Sequence, residues 1–247
     1  MVIQPNQMIK FFRKIRQRLL NENRFSKYLL YALGEIFLVV IGILMALQIN
    51  NWNENKKQQK EIQNALMEIK NDLILDQMVL HEALNRKNEE YDKQQRVIDI
   101  LDHKKEMVED FDKLLGYLML KRNVEFTKNG FDLLKDMGIG KIEDDDFRIK
   151  LTSYYDLSLP RIQAEIDDDT DEFQSIWLPY VREHFTDWLF EAYGTPKDMD
   201  SFLNDEYILI SLKLNLGNTD GTIEAMEKAL LESSELVAMI DEKLTDQ

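Results

Sequence analysis

Apolar positions along this chain follow two patterns. Between residues 28 and 49 they are almost uninterrupted: YLLYALGEIFLVVIGILMALQI contains one charged side chain, Glu35. As a helix, these residues span about 33 Å, the thickness of a bilayer's hydrocarbon core. Tyr28 and Tyr31 mark one end and Trp52 the other, where amphipathic rings favour headgroup depth. Past Trp52 the pattern becomes periodic. Ile62, Leu66, Ile69, Leu73, Leu80, Leu84, Tyr91, Ile98 and Leu101 recur at helical spacing. No Gly or Pro lies between Gly42 and Gly116, so the membrane helix is predicted to continue to about His103.

Further helices are predicted at about 109–122 (Phe111, Leu114, Leu115, Leu118) and 129–137, the latter stopped by Gly138-Ile139-Gly140. Asp144, Asp145 and Asp146 cap a longer helix carrying Phe147, Leu151, Tyr154 and Tyr155, which Pro160 should kink or interrupt. Pro179 begins a new turn, and Gly194-Thr195-Pro196 reads as a loop. Residues 204–216 and 222–244 form a final helical pair, hairpin-like or continuous, with Gly217 and Gly221 softening the join. No alternating strand pattern and no repeat is visible.

Charge sharpens this picture. Residues 1–60 hold ten Lys and Arg against three Glu, a net of +7, and the whole chain carries −15, leaving −22 for residues 61–247. A domain this acidic is repelled by nucleic acid and by anionic headgroups. Seven basic residues precede the apolar span (Lys10, Arg13, Lys14, Arg16, Arg18, Arg24, Lys27), and three follow closely (Lys56, Lys57, Lys60). That asymmetry places the N-terminus in the cytoplasm. The apolar run is longer than a signal-peptide core and no small-residue cleavage site follows it, which predicts an uncleaved anchor. Phe11, Phe12, Ile15, Leu19 and Leu20 oppose the basic residues at helical spacing. The segment can lie on the inner leaflet, or serve only as a topology signal. With no Cys in the chain, disulfides, thiol nucleophiles and Cys-based metal sites are excluded.

The wording of the anchor, MIKFFRKIRQRLL followed by FSKYLLYALGEIFLVVIGILMALQINNWNE over residues 8–54, resembles the opening of the DUF6090 family of uncharacterised Bacteroidota membrane proteins. Weaker resemblance continues in FDLLKDMGIGKIEDDDFRIKLTSYYD (131–156) and ISLKLNLGN (210–218). Gly138-Ile139-Gly140 replaces a more polar Ser-Gly turn there. The resemblance implies a single-pass inner-membrane protein with a helical periplasmic domain; it implies no activity and no site residues.

Each candidate site has a plainer alternative. A charge in the bilayer is costly, so Glu35 could snorkel, pair with Lys27 or Arg24, sit protonated in a helix interface, or couple to an ion flow. Gly42 and Ala46 form a small-xxx-small pair with Gly34 two turns earlier, which permits close helix packing; ordinary Gly and Ala usage is the alternative. Asp167, Asp169 and Asp171 resemble the start of a Ca²⁺ loop, but Glu172 and Leu178 occupy the positions needing Gly and Glu, so an acidic helix surface is the better reading. His81, His103 and His184 are scattered without zinc spacing. The aromatic run including Trp177, Tyr180 and Trp188 could line a ligand pocket or partner surface, although a plain helical core is favoured.

The sequence therefore predicts an all-α chain: one transmembrane helix continuing into a long periplasmic helix, packed in an elongated bundle of about four helices. Its parts are a basic cytoplasmic segment (1–27), the membrane helix (28–49) and an acidic periplasmic domain (50–247). The expected role is sensing or partner binding at the inner membrane without catalysis, cofactor or metal. The lipid bilayer, an unknown protein and a second copy of the chain are the expected partners, and nucleic acid is not. Alternatives are a subunit of an ion-driven or envelope-spanning complex using Glu35, and, less favoured, an enzyme.

Overall fold

The computed structural model describes residues 25–103 and 108–245, together with Arg13 and Gln17. The basic amphipathic stretch lies otherwise outside the described residues, as do the side chains of Tyr28 and Tyr31. The chain is mostly helical and divides into two compact units, Met1–Glu61 and Ile62–Gln247. Helix α1 (Phe25–His103) contributes to both.

In the first unit the large apolar side chains of α1 are exposed. Ile36, Phe37, Leu38, Val39 and Ile43 are each more than half exposed. The mean hydropathy of the apolar window is 2.3 and none of it is buried. Here is one helix long and apolar enough to cross a membrane. Trp52 is exposed, and the Lys56 ammonium lies 4.7 Å from its ring centroid.

In the second unit, inward positions of α1 run 66, 69, 73, 76, 80, 83, 87, 90, 94, 97 and 101, alternating steps of three and four. This is the narrow seam a helix presents to neighbours packed along it. The seam packs on the chain's own later helices. After α1 come α2 (Phe111–Leu115), an irregular segment over 116–128, and α3 (Asn129–Met137). Next are α4 (Asp145–Ser153), α5 (Leu159–Glu172) and α6 (Leu178–His184). Strands β1 (Phe185–Leu189) and β2 (Tyr193–Pro196) form an antiparallel hairpin. Helices α7 (Met199–Leu203) and α8 (Glu206–Thr245) complete the fold.

Several local expectations hold. Helix α3 spans 129–137 and stops where Gly138 takes φ +95°, a backbone region cheap only for glycine. The Asp144 carboxylate accepts the Phe147 N–H and caps α4. Gly217 and Gly221 do not break α8, which runs through both.

Other expectations fail for identifiable reasons. Neither proline interrupts its helix. Each follows a π-helical turn, Tyr154–Ser158 before Leu159-Pro160 and Phe173–Trp177 before Leu178-Pro179. A widened turn removes the need for the missing proline N–H and relieves the ring's clash with the preceding turn, so helix continues from 145 to 184. Helix α2 ends at Leu115 instead of near Arg122: Met119 takes φ +52° and gives its N–H to Gln94 Oε1, and Gly116 packs against the β-hairpin. A Cβ there would lie 2.4 Å from Tyr193 N. Strand pairing was not expected. The bulge between Phe185 and Asp187 disturbs the alternation, and Gly194-Thr195-Pro196 belongs to β2 instead of a loop.

The core of this unit has two apolar clusters. One joins α1 residues such as Leu66, Ile69 and Leu73 to Phe131, Leu151, Ile162, Met226 and Ile240. Phe131 and Tyr155 stack within it at 4.4 Å. The other joins Val97, Ile98 and Leu101 to Leu115, Trp177, Tyr180, Phe185 and Leu212. The same order, apolar, polar, apolar, runs along α1, along α8 and along the continuous helix from α5 into α6. The polar stretch is 87–94 on α1, 169–172 on α5 and 215–222 on α8.

Candidate functional site

The layer between the two clusters is a buried polar network. Lys87, Glu90, Gln94, Asp169 and Asn215 are each 1% exposed. A solitary charge there would be prohibitive, so each group has partners. Lys87 Nζ lies 2.6 Å from Asp169 Oδ2 and 3.1 Å from Glu90 Oε2. Gln94 Nε2 donates to Asn215 Oδ1 at 2.9 Å and to the Leu212 carbonyl at 3.0 Å. The Asn215 and Asn218 amides both donate to the Glu172 carboxylate.

Burial dominates the electrostatics. It pushes Glu90 up to about 7 against the pull of Lys87, and it raises Asp169 despite the same lysine. Burial also works against the charge on Lys87. Glu90 and Asp169 outweigh it and hold the ammonium above its ordinary range. Two carboxylates around one ammonium give this layer a surplus of negative charge, which the Arg122 guanidinium partly offsets at Glu90.

The same face of α1 carries a second device. Side chains along the helix accept backbone N–H groups from the irregular segment that runs antiparallel to it. Gln94 Oε1 accepts Met119 N at 3.0 Å, and Glu90 Oε1 accepts Leu120 N at 2.9 Å. Asp76 Oδ1 accepts Thr127 N at 2.9 Å, and just past the segment, in the first turn of α3, Asp72 Oδ2 accepts Gly130 N at 2.8 Å. The segment is thus a strap, held by side chains because it lies in neither a helix nor a sheet. Asp76 also accepts the Tyr154 hydroxyl at 3.0 Å. Burial pushes its carboxyl up to about 6 although both hydrogen bonds pull it down. Gly130 is required at the strap's end: a Cβ would lie 2.4 Å from Ile69 N.

Between α1 and the strap an open cavity of about 300 Å³ remains, with Arg86, Lys121 and Arg122 among its lining residues. A smaller hollow of about 170 Å³ lies beside Tyr180, His184, Asp198 and Asp205. Among the described residues no group of three or more His, Cys, Asp or Glu side chains is arranged to hold a metal.

The aromatic candidates mostly lie inside. Trp177 is fully buried and Tyr180 nearly so, so Trp177 offers no outer surface and both serve as core. Tyr180 donates its hydroxyl to Asp205 Oδ2 at 2.8 Å. Trp188 is half-buried and donates Nε1–H to the Leu115 carbonyl at 3.1 Å. Asp167, Asp169 and Asp171 lie on α5, not in a loop, with Asp169 turned inward to Lys87. In the membrane-type stretch Gly34, Gly42 and Ala46 are exposed, and a Cβ at either glycine would meet nothing within 4 Å. Glu35 is half-buried.

Sequence reasoning missed Lys87, Glu90, Gln94 and Arg122. The available signal was the gap in the apolar series between Leu84 and Ile98, where residues 87, 90 and 94 keep the helical spacing with polar side chains. Tyr91, assigned to the stripe, is only half-buried, and Glu90 takes the inward position.

No curated protein and no solved structure matches the chain. A model of a family of unknown function, DUF6090, matches residues 35–167. That stretch takes in most of the apolar span, the strap and α3 to α4, and it leaves out α8. It covers more than half of the sequence, and the chain belongs to the DUF6090 family.

Proposed function

We propose that this protein is a single-pass membrane-anchored module. Its N-terminus is cytoplasmic, its acidic helical domain is exported, and it acts by binding, as a sensor or partner-binding tether, without catalysis. One observation carries the reading: the 18-residue apolar window of α1 is wholly unburied, and a bilayer is the solvent in which such a surface is stable. The seven-to-three excess of Lys and Arg on the N-terminal side supports the orientation. The internal use of the buried polar groups supports a structural role for them over a catalytic one. Gly34, Gly42 and Ala46 favour a second copy as one partner, since small residues let membrane helices approach closely.

The test is topological. A fusion of alkaline phosphatase after Gln247 should be active, and the chain should remain in the membrane fraction after carbonate extraction. An inactive fusion, or release of the protein by carbonate, would overturn the reading.

A further inference from the structure

We infer that the cleft between α1 and the strap is a binding site for a small oxyanion, a carboxylate or phosphate group carried on a compact apolar body. The inference rests on the proposed binding role and gives it a ligand class.

Shape and lining come first. The cavity holds about 300 Å³, at the lower end of small-molecule sites. Val79, Ala83 and Val124 supply its apolar walls. Three cations share the site, Arg86 from α1 and Lys121 and Arg122 from the strap, against one acidic lining residue, Glu82. Residues 61–247 carry a net −22, so three basic side chains converging on one cavity run against the field of the whole domain. Clefts with an excess of one sign concentrate ions of the opposite charge.

The protein's own carboxylates use up this charge only in part. Arg86 pairs with Glu82 one turn away, both well exposed, and such pairs are weak and easily exchanged. Arg122 binds Glu191 through Nη1 at 2.5 Å, while among the described residues its buried Nε–H has no acceptor. Among the described residues Lys121 has no carboxylate partner; its ammonium lies 5.9 Å from the Phe173 ring centroid. An oxyanion between helix and strap gives Lys121 a counter-charge and Arg86 a better partner than an exposed glutamate. The site is also preorganised, because Glu90 and Asp76 fix the strap backbone at Leu120 and Thr127, on either side of the cationic residues. Preorganised sites lose less entropy on binding.

The experiment uses the full chain in nanodiscs, with hexanoate and inorganic phosphate as probes. Calorimetric titration in phosphatidylcholine discs should give saturable binding. Amide exchange of the strap over 119–128 should slow when the probe is present. Lys121→Gln and Arg86→Gln should each weaken binding at least tenfold, whereas Lys128→Gln, a charge change on the strap outside the cavity, should leave it unchanged. In discs containing phosphatidylglycerol, a strap already protected without added probe would identify a lipid headgroup as the oxyanion source. Protection only on adding the probe would identify a free molecule. Absence of saturable binding in neutral discs together with an unprotected strap in anionic discs would overturn the proposal. Binding equally strong in Lys121→Gln and Arg86→Gln would overturn it too. Neither negative result touches the phosphatase-fusion test, so the anchor and the anion site fail separately.

Discussion

Glu90 carries a buried charge that weakens the fold at neutral pH, and its neutral isostere should therefore stabilise the protein. Burial pushes this carboxyl up to about 7 from an ordinary value near 4.5. A group whose folded pKa exceeds its unfolded one contributes stability that is full below the unfolded pKa and is lost as pH rises through the folded one. The window for Glu90 is thus about pH 4.5 to 8. Each pKa unit corresponds to about 1.4 kcal/mol, so ionisation costs roughly 3 kcal/mol by pH 8. In Glu90→Gln the side-chain carbonyl still accepts the Leu120 N–H. The new amide nitrogen, however, replaces an oxygen 3.1 Å from Lys87 Nζ, a loss of about 1 kcal/mol. The net expectation is a gain of about 2 kcal/mol at pH 8 and a small loss at pH 5. Lys87→Met has the opposite effect. It leaves Glu90 and Asp169 buried without their cation and should cost about 3–5 kcal/mol at pH 8, less at pH 5 where protons replace the lysine. Urea denaturation of the full chain in mild detergent measures both, with the buried Trp177 as fluorescent reporter. A Glu90→Gln protein less stable than wild type at pH 8 would refute the reasoning, as would a Lys87→Met penalty independent of pH.

Three further outcomes are expected. Gly130→Ala should cost about 3 kcal/mol, because its Cβ would lie 2.4 Å from the Ile69 backbone and overpacking against backbone has no cheap relief; the urea midpoint reads this. Residues 56–247, which carry the acidic surface, should express without the anchor as a soluble and predominantly helical protein, and a strand-dominated far-UV circular dichroism spectrum would contradict this. Single-cysteine crosslinking across 38–48 in native membranes should give a helical periodicity that Gly42→Ile weakens and Leu44→Ile does not; a flat profile would remove support for pairing through the small-residue face.

The parts of the fold that periodicity and caps determine were legible. The apolar span, the long helix to His103, α3 with its Gly138 stop and the Asp144 cap all follow from local chemistry. The hairpin at 185–196 was not, because its strands are short and bulged. Phe185, Trp188 and Leu189 are spaced as on a helix, while the turn depends on Glu191 at φ +56° and on its N–H reaching the Gly116 carbonyl at 2.8 Å. That contact is tertiary and leaves no local signature. The two prolines misled for a related reason. A proline is incompatible with regular α-helix but compatible with one that widens just before it, and the widening is stabilised by packing: Tyr154, Tyr155, Phe173 and Trp177 in the two π turns are all buried.

The candidate site was least legible, because its residues look like surface. In an acidic, helix-rich chain Lys87, Glu90, Gln94 and Asp169 are unremarkable as residue types, and only their position on the inward face of α1 and α5 distinguishes them. The strap adds a second layer of concealment. Its residues over 119–128 lie in no regular element, yet α1 holds their backbone at Met119, Leu120 and Thr127. A helix that uses its side chains to satisfy another segment's backbone must keep acceptors at inward positions, and α1 does so at 72, 76, 90 and 94. The polar breaks in its apolar seam are therefore the price of holding the strap, and holding the strap is what brings Lys121 and Arg122 to the same cavity as Arg86. Polar interruption of the seam, placement of the strap and convergence of cations form one causal chain, and a variant that loosens Glu90 or Asp76 from the strap should weaken the anion site without touching any residue that lines it.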